Sequence, residues 1–138
     1  MILLDAYQAG GAPLHLLSYE FYRDCRSRLE EDGVVISNLH DSSRSYQSAR
    51  RTFAAAFRDT TTCAASTGNV IVIGGRTCFA ELRARISEPS FSKEKQDGQI
   101  PFLRWAEDVL FENPYDKTAP MIRDGWLCGA RDLYPIRT

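Results

Sequence analysis

Two short, unbroken apolar runs with one amphipathic segment between them constrain this chain more than any other feature. Ile2-Leu3-Leu4 and Val34-Val35-Ile36 show no alternation of apolar and polar residues. Strands of that kind are buried on both faces, as in a parallel sheet. Parallel neighbours need a crossover of about a dozen residues or more, usually a helix. The intervening sequence supplies one. Ser18 is placed to cap a helix over Ser18 to Glu31, and Glu20 suits its positive end. Phe21, Tyr22, Cys25 and Leu29 make an apolar stripe opposite Arg23, Asp24, Arg26 and Arg28, and Gly33 is expected to close the helix.

The pattern continues in the same sense. After Ile36 the residues Ser37-Asn38-Leu39-His40 read as a polar exit loop, and Asp41, Ser42 and Ser43 as N-caps. Tyr46, Ala49, Phe53, Ala56 and Phe57 fall at helical spacing. Thr60 to Ala65 is β-prone, Thr67-Gly68-Asn69 turns the chain, and Asn69 to Ile73 returns, so a β-hairpin is expected, broken by Gly74-Gly75. A third helix is marked by Phe79, Leu82 and Ile86, and a fourth by Pro101 with Phe102, Leu103, Ala106, Val109 and Leu110. Ser87 to Gln99 has loop composition, and Asn113 to Thr138 is irregular.

The order strand, helix, strand, helix, hairpin, helix, helix describes an α/β chain. It is that of the C-terminal half of a Rossmann-like methyltransferase fold: parallel strands with crossover helices, then an antiparallel hairpin. The opening strand then corresponds to the fourth strand of a larger sheet. The expected division is a partial domain over residues 1–111 and an irregular extension over 112–138. A strand that ends in an acid and a loop, as Leu4-Asp5 does, is how such a sheet presents a catalytic side chain at its rim.

Bulk properties narrow the function classes. A net charge of −1 over 138 residues gives no global reason to expect nucleic acid or an anionic membrane as partner. No apolar run is long enough to span a bilayer, and Met1-Ile2-Leu3-Leu4 lacks the basic leader of a signal peptide. Cys25, Cys63, Cys78 and Cys128 are far apart and show no metal-ligand spacing, which points to reduced, packed thiols in a cytoplasmic protein and to no metal site. His15 and His40 have no partner at metal-ligand spacing, and Arg44, Arg50, Arg51 and Arg58 read as a solvated helix face. Trp105 and Trp126 read as packing residues.

The local sequence "ILLDAYQAGGAPLHLLSYEFYRDCRSRLEEDGVVISNL" resembles the spermidine synthase (aminopropyltransferase) family. The resemblance lies in Asp5-Ala6-Tyr7 after the strand, Pro13 with Leu14 and Leu16, Ser18-Tyr19-Glu20-Phe21 at the helix start, and Leu29 through Gly33-Val34. "GNVIVIGG" resembles the hairpin of the same fold, and "MIRDGW" (Met121 to Trp126) loosely resembles the family's C-terminal Thr-Asp-Asp segment. The detailed match covers residues 2 to 39.

The resemblance implies transfer of an aminopropyl group from decarboxylated S-adenosylmethionine to a polyamine or other small amine. In that family the acid after this strand lies beside the sulfonium of the co-substrate, and Asp5 matches it. A carboxylate suits the position, because it attracts the incoming ammonium and can accept the proton that the attacking nitrogen must lose. An ordinary Asp pKa of ~3.9 lies far below that of an alkylammonium, so desolvation has to narrow the gap. By the same resemblance Tyr7 and Gln8 fall at substrate-binding positions, Asp5, Pro13 and Leu14 at co-substrate positions, and Asn38 and His40 near the rim. Better-known members carry a second acid where this chain has Gln8, which cannot supply its charge. No G-x-G-x-x-G stretch occurs in the 138 residues. The resemblance therefore implies a transferase whose chemistry centres on Asp5, with no tightly bound cofactor and little activity expected from this chain alone. Two other readings remain open: a non-catalytic half-domain that self-associates or takes up a partner supplying further strands, and a half-domain of an S-adenosylmethionine-dependent methyltransferase. A homodimer through residues 1 to 7 is the expected assembly.

Overall fold

The computed structural model describes residues 1–8, 11–57, 59–64, 68–76 and 115–125. The third and fourth helices expected from the sequence, Cys78, Cys128, Arg58, Trp105 and Trp126 lie outside the described residues.

Four strands form one mixed sheet: β1 (Ile2–Leu4), β2 (Val34–His40), β3 (Thr60–Ala64) and β4 (Asn69–Gly75), in the spatial order β1-β2-β4-β3. β1 and β2 are parallel, with Leu3 opposite Ile36 and Leu4 opposite Ser37. β4 is antiparallel to both β2 and β3. The last strand in sequence thus lies between the second and the third, so β3 runs parallel to β2 two positions away. This is the reversed closing hairpin of a Rossmann-like methyltransferase sheet, as the order of elements predicted.

The crossovers are α1 (Tyr19–Ser27) and α2 (Tyr46–Ala56). Ser18 caps α1 as expected, its Oγ accepting from the Phe21 amide at 3.2 Å. Both helices cover one face of the sheet. Tyr22, Cys25 and Leu29 from the first helical region, and Ala49, Phe53, Ala56 and Phe57 from the second, meet Val35, Leu39, Val70 and Val72 in a single core. The inward strand residues are cross-strand neighbours: Val35 pairs with Gly74, Ser37 with Val72, Leu39 with Val70. Tyr22 stacks edge-on to Phe53 with ring centroids 5.0 Å apart, and Phe53 packs on Phe57 at 4.5 Å. Burial raises the Cys25 thiol pKa, which keeps it a protonated packing group. No described helix is long and apolar enough to cross a membrane.

Five local expectations are corrected. The helix α1 ends at Ser27, and Gly33 is not its left-handed cap, since positive φ among the described glycines occurs at Gly11 and Gly68. Gly33 instead closes a turn onto the Glu30 carbonyl, where a Cβ would come within 3.0 Å of Leu29 Cβ. Ser37 to His40 is not a loop: β2 continues through it, alternating buried Ser37 and Leu39 with half-buried Asn38 and His40. Asp41, Ser42 and Ser43 do not cap α2, which starts after Ser45 without a side-chain cap bond. Gly74 and Gly75 do not break β4 but belong to it, paired with Val35 and Val34, and Phe57 leaves no room for a side chain on Gly74.

The fifth correction concerns the arginines. Arg50 is 5% exposed and lies between the rings of Tyr46 and Tyr115, its guanidinium carbon 6.0 and 5.3 Å from their centroids. Arg51 donates to the carbonyls of Thr118 and Ala119. These two residues hold residues 115–125 against α2, where the sequence pattern had indicated a solvated face. Ile122 is fully buried in the core, its amide bonded to Thr52 and its carbonyl accepting from the Tyr19 amide at 2.9 Å.

Candidate active site

β1 ends at Leu4, opposite Ser37, while its parallel neighbour β2 runs three residues further to His40, and α/β sheets bind their ligands outside the carboxyl ends of their strands. The register that sets Leu4 opposite Ser37 carries Asp5 to the level of Asn38. There the Asn38 Nδ2 donates to Asp5 Oδ1 at 3.0 Å. Tyr7, two residues on, donates its hydroxyl to the Asn38 carbonyl at 2.9 Å. Burial, and then the nearby Asp5 carboxylate, push the Tyr7 phenol above its ordinary pKa, so it stays a hydrogen-bond donor. Both residues are exposed, and Tyr7 keeps 43% of its surface open.

Gln8 ends this segment and pairs with Gly11. Its amide and carbonyl exchange hydrogen bonds with Gly11 at 3.1 and 3.0 Å, and it is exposed. Pro13 is half-buried and leads into a short 3-10 turn, Leu14–Leu16. The side chain of Leu14 belongs to the core, 5% exposed. The structure therefore gathers Asp5 and Tyr7 around Asn38, while Leu14 packs away from the surface.

His40 is the last residue of β2. Its Nδ1 accepts from the Ser42 amide at 3.3 Å, and Ser42 Oγ lies 2.8 Å from it. The turn that holds this arrangement depends on Gly68. Its carbonyl accepts from the Asp41 amide at 2.9 Å, its φ is +81°, and a Cβ there would approach the His40 ring at 3.1 Å. Between Tyr7, Leu39, His40 and Tyr46 lies a cavity of about 10 Å³, room for one water and no more.

Chemically, the rim offers an exposed carboxylate oriented through one oxygen and an aromatic ring beside it. Such a pair attracts and orients a cation, and the carboxylate can accept a proton from it. Asn38 is the residue that joins the two, and its sequence signal was only a position one strand away from the acid.

No protein-family model matches the chain, and no curated protein matches it in sequence. Among solved structures it is similar in fold to a crystal structure of a probable spermidine synthase from Corynebacterium glutamicum, with 18% sequence identity and a TM-score of 0.49. The match covers 87% of this chain and 49% of that one, so the chain spans about half the length of the protein it matches.

Proposed function

We propose that this chain is the C-terminal part of a spermidine synthase-like aminopropyltransferase, with Asp5 as the group that draws in and deprotonates the amine. The observation that carries the reading is the Asp5–Asn38 hydrogen bond, made where β1 ends beside its parallel neighbour β2. It holds an exposed carboxylate at the rim where the sequence motif Asp5-Ala6-Tyr7 places the acid of that family. Decarboxylated S-adenosylmethionine is the proposed co-substrate, and a small amine the acceptor. Gln8 in place of a second acid argues for an acceptor held by one ammonium.

The test is transfer itself. The chain would be fused to the nucleotide-binding half of a full-length aminopropyltransferase and given co-substrate with a panel of amines. Methylthioadenosine and aminopropylated product are expected by mass spectrometry, with Asp5→Asn lowering kcat by ~10²-fold or more. Turnover unchanged in that variant would leave Asp5 a structural residue and end the reading.

We also propose that the chain self-associates through β1. Among the described residues the outer edge of β1 has no paired strand, and Leu3 is 62% exposed. Light scattering would show a dimer that Leu3→Lys weakens; a monomer at all concentrations would overturn it.

A further inference from the structure

The turn between β2 and α2 is built around one histidine, and it shares a cavity with Tyr7. His40 Nδ1 takes the Ser42 main-chain N–H at 3.3 Å, with Ser42 Oγ 2.8 Å and Asp41 Oδ1 3.7 Å away. The turn continues through Ser43, whose amide donates to the His40 carbonyl at 3.0 Å and whose carbonyl accepts from the Tyr46 amide at 3.0 Å. α2 starts after Ser45 without a side-chain cap bond, so this turn is what leads the chain into the helix. His40, Ser43, Ser45 and Tyr46 line the small cavity together with Tyr7.

A main-chain N–H can only donate, so the Ser42 contact lasts while Nδ1 carries no proton. A doubly protonated ring reverses the roles. Its Nδ1–H opposes the Ser42 N–H and needs an acceptor, and Ser42 Oγ and the Asp41 carboxylate are beside it. Histidine is the side chain whose charge changes between about pH 5 and 8. The His40 side chain is 39% exposed, so protons reach it. The other groups around the ring hold their charge over that range. Burial raises the Tyr7 and Tyr46 phenols, which stay neutral, and Arg50 beside Tyr46 stays a cation. Asp5 is turned to Asn38, and the residue opposite His40 on β4 is the uncharged Asn69. We propose that His40 is a proton-operated latch beside the rim: the uncharged ring holds Ser42 and the turn that walls the cavity, and the protonated ring releases the Ser42 amide, draws Asp41 in and loosens that wall next to Tyr7. The latch needs no ligand, so it stands or falls separately from the reading of Asp5 as an amine site.

The experiment follows the isotope-labelled 138-residue chain by NMR from pH 8 down to about pH 5.5, above the ordinary carboxylate range. The His40 ring nitrogens report its protonation, the Ser42 amide reports the turn, and the Tyr7 ring reports the rim. The Ser42 amide is expected to shift with the same midpoint as the His40 ring and to lose about threefold or more of its protection from solvent exchange. The Tyr7 ring should shift along the same curve. His40→Asn keeps an acceptor near the position of Nδ1 but does not titrate, so its Ser42 amide should be independent of pH over this range. Asp41→Asn takes away the carboxylate that favours the charged ring, and should move the midpoint to lower pH. A Ser42 amide that does not follow His40, a response that survives in His40→Asn, or a Tyr7 ring that stays fixed while His40 titrates overturns the inference. Circular dichroism establishes that the His40→Asn variant is folded; if it is not, His40→Gln takes its place in the same titration.

Discussion

Thr52 Oγ1 accepts the main-chain N–H of Ile122 at 2.9 Å and donates to the Ser48 carbonyl at 2.6 Å, with Thr52 and Ile122 both fully buried. One hydroxyl on α2 thus fixes residues 115–125, 70 positions away in sequence, to the helical layer. Replacing it with an isosteric methyl would strand the Ile122 amide in the core. Thr52→Val is expected to destabilise the protein by about 1–3 kcal/mol, and Thr52→Ser by less. Urea denaturation of the three proteins measures this; a Val variant as stable as wild type would mean that the bond does not hold the segment.

Gly74 illustrates a steric constraint of the opposite kind. A Cβ on it would lie 2.5 Å from Phe57 Cγ and 2.9 Å from Phe53 Cε1, contacts that no rotamer of Gly74's substitute can relieve. Gly74→Ala should therefore cost about 1–3 kcal/mol. In a double-mutant cycle with Phe57→Ala, part of that cost should vanish, because alanine removes the Cγ that lies 2.5 Å away and leaves the Cβ at 2.7 Å. Additive losses would place the strain elsewhere.

These two cases mark what a sequence can carry. β1, α1, β2 and the hairpin were legible because their signals are local: an apolar run, a capping serine, a stripe at helical spacing. The role of Gly74 was not, since its cause is Phe57, which meets it only through packing. Asn38 and His40 read as loop because they are polar, whereas strand pairing with Ile71 and Asn69 keeps them in β2. Arg50 and Arg51 read as solvated because the segment that covers them lies more than sixty residues downstream. Asp5 was visible as a strand-end acid. What holds it, the Asn38 amide, depends on the β1–β2 register, which neither strand encodes alone.

The same downstream segment should respond to pH. Arg123 donates to Glu20 Oε1 at 3.0 Å and the Asp124 amide to Oε2 at 3.2 Å, while the Arg123 guanidinium lies 4.4 Å from the Tyr19 ring. Slight desolvation pushes the Glu20 carboxyl up, but bonds from its own amide, from Arg123 and from Asp124 outweigh it and hold the pKa below the usual value. A carboxyl depressed in the folded state stabilises fully above its unfolded pKa of ~4.3 and loses that contribution as pH falls through the folded value. Stability should therefore drop on acidification below about pH 4.5, and Glu20→Gln should flatten that part of the curve. Chemical denaturation from pH 3 to pH 7 tests the sign; a Gln variant with an unchanged pH profile would remove Glu20 from the account.

The co-substrate sets the last expectation. Nucleotide-like ligands in Rossmann-type sheets are held by main-chain amides of a glycine-rich turn at a helix N-terminus and by an acid on the ribose. The 138 residues contain no G-x-G-x-x-G stretch, and Gly10-Gly11 and Gly74-Gly75 do not serve: the first pair leads into a proline, and the second lies within β4 under Phe57. In the proposed reading, the rim around Asp5 meets the reacting end of such a molecule. Isothermal calorimetry of this chain with decarboxylated S-adenosylmethionine or methylthioadenosine should therefore give a Kd of about 1 mM or weaker. Micromolar affinity would mean that residues other than a glycine-rich turn recognise the adenosine, and the assignment of this chain as only the amine-side half of the catalytic unit would have to be abandoned.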